Sequence, residues 1–192
     1  MANVQRRVEI ARALRRLMAS QGYERTSIAD VAEAAGLAPG LIHYHFKNKL
    51  EILLSVQEHL GASHLARVDE ALAGETSPES QLEAFLDVHL ALDRANPEAL
   101  ACWVTLGGEA LRQSAVRTGY QALMARLRER LQAVLERGVA DGRFRCDPAS
   151  ASSALLALIQ GYFVLAATCP EQIPRGSAAP NARAMALGLV AP

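Results

Sequence analysis

Aromatic residues are scarce in this 192-residue chain: one tryptophan, four tyrosines and four phenylalanines. β-Branched residues are few as well, while Ala, Leu, Arg and Glu abound. That balance argues against sheets and for an all-α protein. Cysteine is confined to Cys102, Cys146 and Cys169, with no C-x-x-C spacing and no histidine cluster. An odd number of thiols behind no signal peptide is expected to stay reduced in the cytoplasm. The longest apolar run, 154–167, is interrupted by Gln160 and is expected to be too short for a bilayer, hence a buried or interface helix. No Ser-His-Asp, Cys-His or paired-carboxylate arrangement stands out, and no glycine-rich phosphate cradle. No catalytic residue and no cofactor is therefore expected.

The chain also lacks net charge, with 20 basic and 20 acidic residues. The balance hides an asymmetry. Residues 1–50 carry eight Lys/Arg against four Asp/Glu, and residues 51–192 carry twelve against sixteen. A basic N-terminal unit on an acidic remainder suits a nucleic-acid-binding head joined to a body that does not bind nucleic acid.

What is present is a compact run from Ser27 to Lys49. Ser27 is a good N-cap, and Asp30 stands where its carboxylate can complete a capping box. Ile28, Val31, Ala32 and Ala35 follow at helical spacing, the alanines small enough for a close helix crossing. Gly36 tolerates the left-handed conformation of a sharp helix exit. Pro39 fits the first turn of a second helix, whose Ile42 and Phe46 make one buried face. Gly40, Leu41, His43, Tyr44 and His45 are left on the other side. This pattern predicts a helix-turn-helix, whose second helix enters the DNA major groove.

The residues Gly22-Tyr23, Thr26-Ser27, Ile28 to Val31, Ala35-Gly36, Gly40, Tyr44-His45-Phe46 and Lys49 make this stretch resemble the DNA-binding domain of the TetR (tetracycline-repressor) family of bacterial transcriptional regulators. The resemblance implies a dimeric, ligand-responsive regulator, most often a repressor, that binds a near-palindromic operator in double-stranded DNA and is released by a small molecule. By position it implies DNA contacts at Thr26, Ser27, Pro39, Gly40, Leu41, His43, Tyr44, His45 and Lys49. Pro39, Gly40 and Leu41 would meet base edges and the others phosphates. Ala38, Leu41 and His43 depart from the family's usual residues. Pro39 and Leu41 offer only apolar contact, such as to a thymine methyl, so DNA shape should share in specificity. His43 and His45, two residues apart on a helix, point apart and predict no metal site.

Along the chain, Val4 to Gln21 reads as a first helix, with Val8, Ala11, Leu14 and Met18 inward and Arg6 or Arg7 placed for phosphate contact. Asn48 with Glu51 caps a long helix to about Leu72, which in the family links a head of 1–50 to a body of 51–192. Further helices are expected from Ser77/Pro78 to near Asn96-Pro97, from Pro97 to about Arg112 with a weak point at Gly107-Gly108, from Ser114 to Ala140, from Pro148 to about Thr168, and from Asn181 to Leu189. That makes about nine: a three-helix head and a helical body for ligand binding and dimerisation. In the family the last two helices form the dimer. Candidate effector contacts are Phe85, His89, Trp103, Thr105, Tyr120, Met124 and Tyr162. The stretch from Asn96-Pro97-Glu98 through Trp103 and Glu109 to Arg112, then Gly138 to Phe144, resembles the C-terminal domain of choline-responsive repressors of betaine synthesis. That implies a quaternary ammonium held against Trp103, with an apolar ligand as the alternative.

Overall fold

The computed structural model describes residues 2–92 and 97–191. Among these it has nine α-helices and no strand. They are α1 (Ala2–Gln21), α2 (Ile28–Ala35), α3 (Pro39–His45), α4 (Lys49–Ala73), α5 (Pro78–Leu90), α6 (Pro97–Arg112), α7 (Ser114–Ala140), α8 (Pro148–Thr168) and α9 (Ala178–Val190). One 3₁₀ turn, Pro170–Gln172, lies between the last two.

The starts of these helices are set by local chemistry. Ser77 and Asp147 accept from the backbone N–H three residues on, each followed by proline at the first helical position. Glu51 N–H donates to Asn48 Oδ1 at 2.9 Å, and the Glu51 carboxylate accepts from Lys47 N–H at 2.7 Å. The carboxylate thus returns its bond one residue earlier than a capping box would.

Two boundaries differ most from the sequence reading. Helix α5 stops at Leu90 instead of running through Leu92, because Ala91 leaves helical geometry with ψ 58°; the expected end at Asn96 lies outside the described residues. Helix α9 begins three residues early, since Pro180 in its first turn costs no intrahelical bond. The apolar run 154–167 is only part of α8. At 21 residues, with a window of mean hydropathy 1.6, the whole helix is long and apolar enough to cross a membrane by length and composition alone, while the run 154–167 within it is shorter. Only 28% of its apolar stretch is buried within the chain. Gly107-Gly108 does not interrupt α6, which is helical throughout.

By contacts the chain forms two compact units, Met1–Ala62 with Asn96–Ala122, and Ser63–Ala95 with Leu123–Pro192. The first has a continuous core of Ile10, Leu14, Val31, Ile42, Phe46, Ile52, Leu53, Cys102 and Leu106. Helix α6 packs on α1 there: the Cys102 thiol reaches Arg15 O at 3.4 Å, and Arg112 pairs with Glu24 at 3.6 Å. In the second unit α9 turns Ala178, Ala182, Ala186 and Val190 inward, four residues apart, and packs on α5. Arg183 pairs with Asp87 at 3.2 Å.

The α7–α8 turn is built on a close approach. Gly138 O accepts from both Arg143 N–H and Phe144 N–H, and the buried Phe144 ring lies against the glycine. A Cβ at Gly138 would collide with that ring. Gly138→Ala is expected to cost about 1–3 kcal/mol through overpacking, read as a lowered midpoint in urea unfolding.

Candidate nucleic-acid interface

The geometry of α2 and α3 follows from their caps. Ser27 Oγ accepts from Asp30 N–H at 3.1 Å, and Asp30 Oδ2 accepts from Ser27 N–H at 2.7 Å. These bonds hold the Asp30 carboxyl below the usual aspartate range. Gly36 sits at φ 67°, where its N–H and that of Leu37 turn back onto Glu33 O and Ala32 O. Helix α3 then starts at Pro39 with no side-chain cap, since Ala38 has none to give. Ile42 and Phe46 enter the core at 0% and 1% exposure.

The opposite side of α3 faces outward. Ala38, Pro39, Gly40, Leu41, His43 and Tyr44 are exposed, with Leu41 at 38% and Tyr44 at 76%. Two large apolar-bodied side chains thus stand on the outward side of one short helix. His45 is half-buried. Its Nδ1 lies 2.9 Å from Asn3 Oδ1, and its ring meets Tyr44 edge-on at 5.0 Å. His43 and His45 thus have different surroundings. Among the described residues no group of three or more His, Cys, Asp or Glu could hold a metal.

Of the remaining expected contacts, Thr26 and Lys49 look inward and Ser27 does not. Thr26 is 2% exposed, and its hydroxyl donates to Gly22 O at 2.8 Å. Ser27 is exposed. Lys49 is half-buried and donates to carbonyls of the α1–α2 connection. Arg6 pairs with Glu9 at 2.7 Å, and Arg7 donates to His45 O. Sequence reasoning missed the ties from Asn3 to His45 and from Arg16 to Ala34 O, 2.9 Å. Both join residues far apart in the chain and leave no local pattern.

The candidate effector residues divide between the units. Trp103, Thr105 and Tyr120 belong to the first, and Phe85, His89, Met124 and Tyr162 to the second. Thr105 Oγ1 donates to Ala101 O within its own helix. Tyr162 lines a groove of about 350 Å³ between α8 and α9, with Leu158, Leu165, Ile173, Pro174 and Asn181; none of the other candidates lines it. Phe85 and His89 are buried. His89 Nδ1 lies 2.7 Å from Phe85 O. A carbonyl only accepts, so Nδ1 carries the proton and the buried Nε2 is a lone pair without a partner. The His64 ring meets His89 at 4.6 Å, edge to face.

Two family models match the chain. Residues 10–56 match the bacterial regulatory proteins of the tetR family. Residues 78–190, more than half of the chain, match the C-terminal domain of the BetI-type transcriptional repressor. The chain belongs to the TetR family, with a BetI-type C-terminal domain. This TetR-family chain is 28% identical over 162 residues to the HTH-type transcriptional regulator BetI of Agrobacterium fabrum, covering 83% of the chain and 75% of the relative. Across the curated BetI relatives it matches, it spans 62–75% of their length. A TetR transcription regulator from Haloarcula marismortui shares the fold at TM-score 0.88 and 22% identity, over 97% of this chain and 99% of that one. A transcriptional regulator from Saccharomonospora viridis, solved in complex with choline, does so at 0.84 and 23%, over 96% and 95%. The helix-turn-helix of this TetR-family regulator is thus a DNA-binding element, and its relatives are transcriptional regulators.

The histidine pair makes stability depend on pH. Burial pushes His89 down to about 3, with His64 adding to the shift, and pushes His64 down to about 4, with Arg67 adding. Both are neutral in the folded chain at pH 6, whereas an unfolded histidine takes up a proton below about 6.5. The unfolded state then binds more protons, so stability is complete above pH 6.5 and falls as pH drops below it. The slope is at most about 1.4 kcal/mol per pH unit for each histidine, and it flattens near pH 4 for His64 and pH 3 for His89. Urea unfolding between pH 7 and 5 is expected to show this loss, and His89→Leu to remove about half of its slope.

Proposed function

We propose that this chain is a dimeric repressor that reads a near-palindromic operator in double-stranded DNA and releases it when a small molecule binds. The observation that carries the reading is the outward side of α3, where Pro39, Gly40, Leu41, His43 and Tyr44 stand exposed while Ile42 and Phe46 anchor the helix. Pro39, Gly40 and Leu41 meet base edges. Ser27, His43, Tyr44 and His45 meet phosphates, and Thr26 holds the turn that presents Ser27. The head of 1–50 does the reading, and the body of 51–192 binds effector and dimerises. The protein works in the cytoplasm, where its operator lies, and performs no catalysis.

Dimerisation uses α8 and α9. Their exposed Val164, Leu165, Met185, Leu187 and Leu189 give an apolar surface that a second copy covers. Two heads then reach successive major grooves, about 34–36 Å apart. Effector binding shifts the population toward a head spacing that does not fit. The BetI-type match and the choline-bound neighbour favour a small quaternary ammonium as effector, with Trp103 supplying a cation–π face. An apolar ligand is the alternative.

The test is a mobility shift on the DNA upstream of the gene, at several salt concentrations, with and without choline. Tight binding that weakens steeply with salt is expected, and choline should release it. Tyr44→Phe is expected to weaken binding to every sequence. Leu41→Ala is expected to alter preference at one base pair by about 1 kcal/mol. Uniform loss from Leu41→Ala would count against it as a base reader.

A further inference from the structure

Lys49 is the first residue of α4 and one of two lysines in the chain. Its Nζ donates to three carbonyls of the segment joining α1 to α2: Tyr23 O at 2.9 Å, Thr26 O at 2.9 Å and Glu24 O at 3.4 Å. It also lies 4.2 Å from the centroid of the Tyr23 ring. An ammonium has three N–H bonds and no acceptor, so each bond already has a carbonyl. Contact with a phosphate would require at least one of these bonds to break. The carbonyls converge on one point, which suits a compact ammonium and not a planar guanidinium.

Arg7 does the matching thing at the exit of the reading helix. Its Nη1 donates to His45 O, on the last residue of α3. Its guanidinium lies 4.0 Å over the Phe46 ring, and Nη2 is 3.7 Å from Glu51. Lys49 therefore ties the entry of α2 to α4, and Arg7 ties the exit of α3 to α1.

We propose that Lys49 and Arg7 are positioning residues for DNA reading. They fix the angle at which α3 is presented and do not neutralise DNA phosphates. The inference rests on the DNA-reading role given above. It leaves phosphate neutralisation to other cations of the head, among which Arg12 and Lys47 are exposed.

The test uses the full-length chain, with duplexes that the wild type selects from a random pool as specific probe and an alternating duplex as non-specific probe. Each variant is assayed below its own measured thermal transition. Lys49→Met and Lys49→Arg are both expected to lose specific affinity about tenfold, the scale of one mismatched base pair. Non-specific affinity and the slope of log K against log salt stay at wild-type values, and Arg7→Met gives the same pattern. If Lys49→Arg binds like wild type while Lys49→Met lowers the slope by about one per bound subunit, Lys49 is a phosphate ligand and the inference fails. Full specific affinity in both Lys49 variants also overturns it. A reading without variants comes from ¹⁵N-lysine-labelled wild type: the Lys49 ammonium resonance should not move when the selected duplex is added, and a shift or a coupling to ³¹P overturns the inference. A wild type that selects no sequence instead overturns the DNA-reading role itself, and this inference with it.

Discussion

Helix α3 has only seven residues, far below the length at which an isolated helix holds together in water. It exists because Ile42 and Phe46, one turn apart, are buried among Ile10, Leu14, Val31 and Ile52. The surroundings serve that burial. Ala32 is small and buried where the helices approach, Gly36 turns the chain in the left-handed conformation, and Leu37 packs against the core beside it. With two side chains committed inward and no cap at Ala38, α3 contributes almost nothing to its own stability. Its direction is set by what it packs on, so its outward residues can vary without changing how they are presented.

The same dependence explains how the head uses its positive charge. Eight Lys/Arg against four acids suggests a surface made for phosphates. Several of these cations instead cap backbone carbonyls: Arg7 on His45, Arg16 on Ala34, Arg25 on Gln21 and Lys49 on the α1–α2 connection. Others pair with acids, Arg6 with Glu9 and Arg15 with Glu98. A hydrogen bond to a neutral carbonyl leaves the charge in place, so the long-range field that draws the head toward DNA persists. What falls is the number of cations free to displace counterions at contact. Steering and contact are therefore separate quantities here, and a count of basic residues measures only the first.

Much of the fold is legible because its signals are local. Ser27 with Asp30, Ser77 before Pro78 and Asp147 before Pro148 each mark a helix start within four residues, and Gly36 marks a stop. The buried stripe of α1, with Ala11, Leu14 and Met18, follows from spacing alone. The end of α5 is less legible, since nothing at Ala91 forbids a helix. The direction of Lys49 is not legible at all: its acceptors are backbone carbonyls 23 to 26 residues earlier, and a carbonyl carries no sequence signature. Thr26 is similar, for its hydroxyl could serve a phosphate or Gly22 O, and only the fold decides. The structure places Phe85 and His89 in a core and Tyr162 on a groove, a distinction that periodicity cannot make.

Helix α9 inverts the usual arrangement of a surface helix. Its inward side is alanine, at 178, 182 and 186, while Met185, Leu187 and Leu189 are exposed. Small residues inside let α9 lie close on α5, where Arg183 adds ion pairs to Glu83 and Asp87. Surface ion pairs contribute little by themselves, so they orient the helix more than they hold it. The large apolar side chains outside, together with Val164 and Leu165 of α8, remain uncovered in a single chain, and hydrophobic surface in that arrangement calls for a partner. A second copy would bring the same surface, and a two-fold pairing lets each α8 and α9 cover its counterpart.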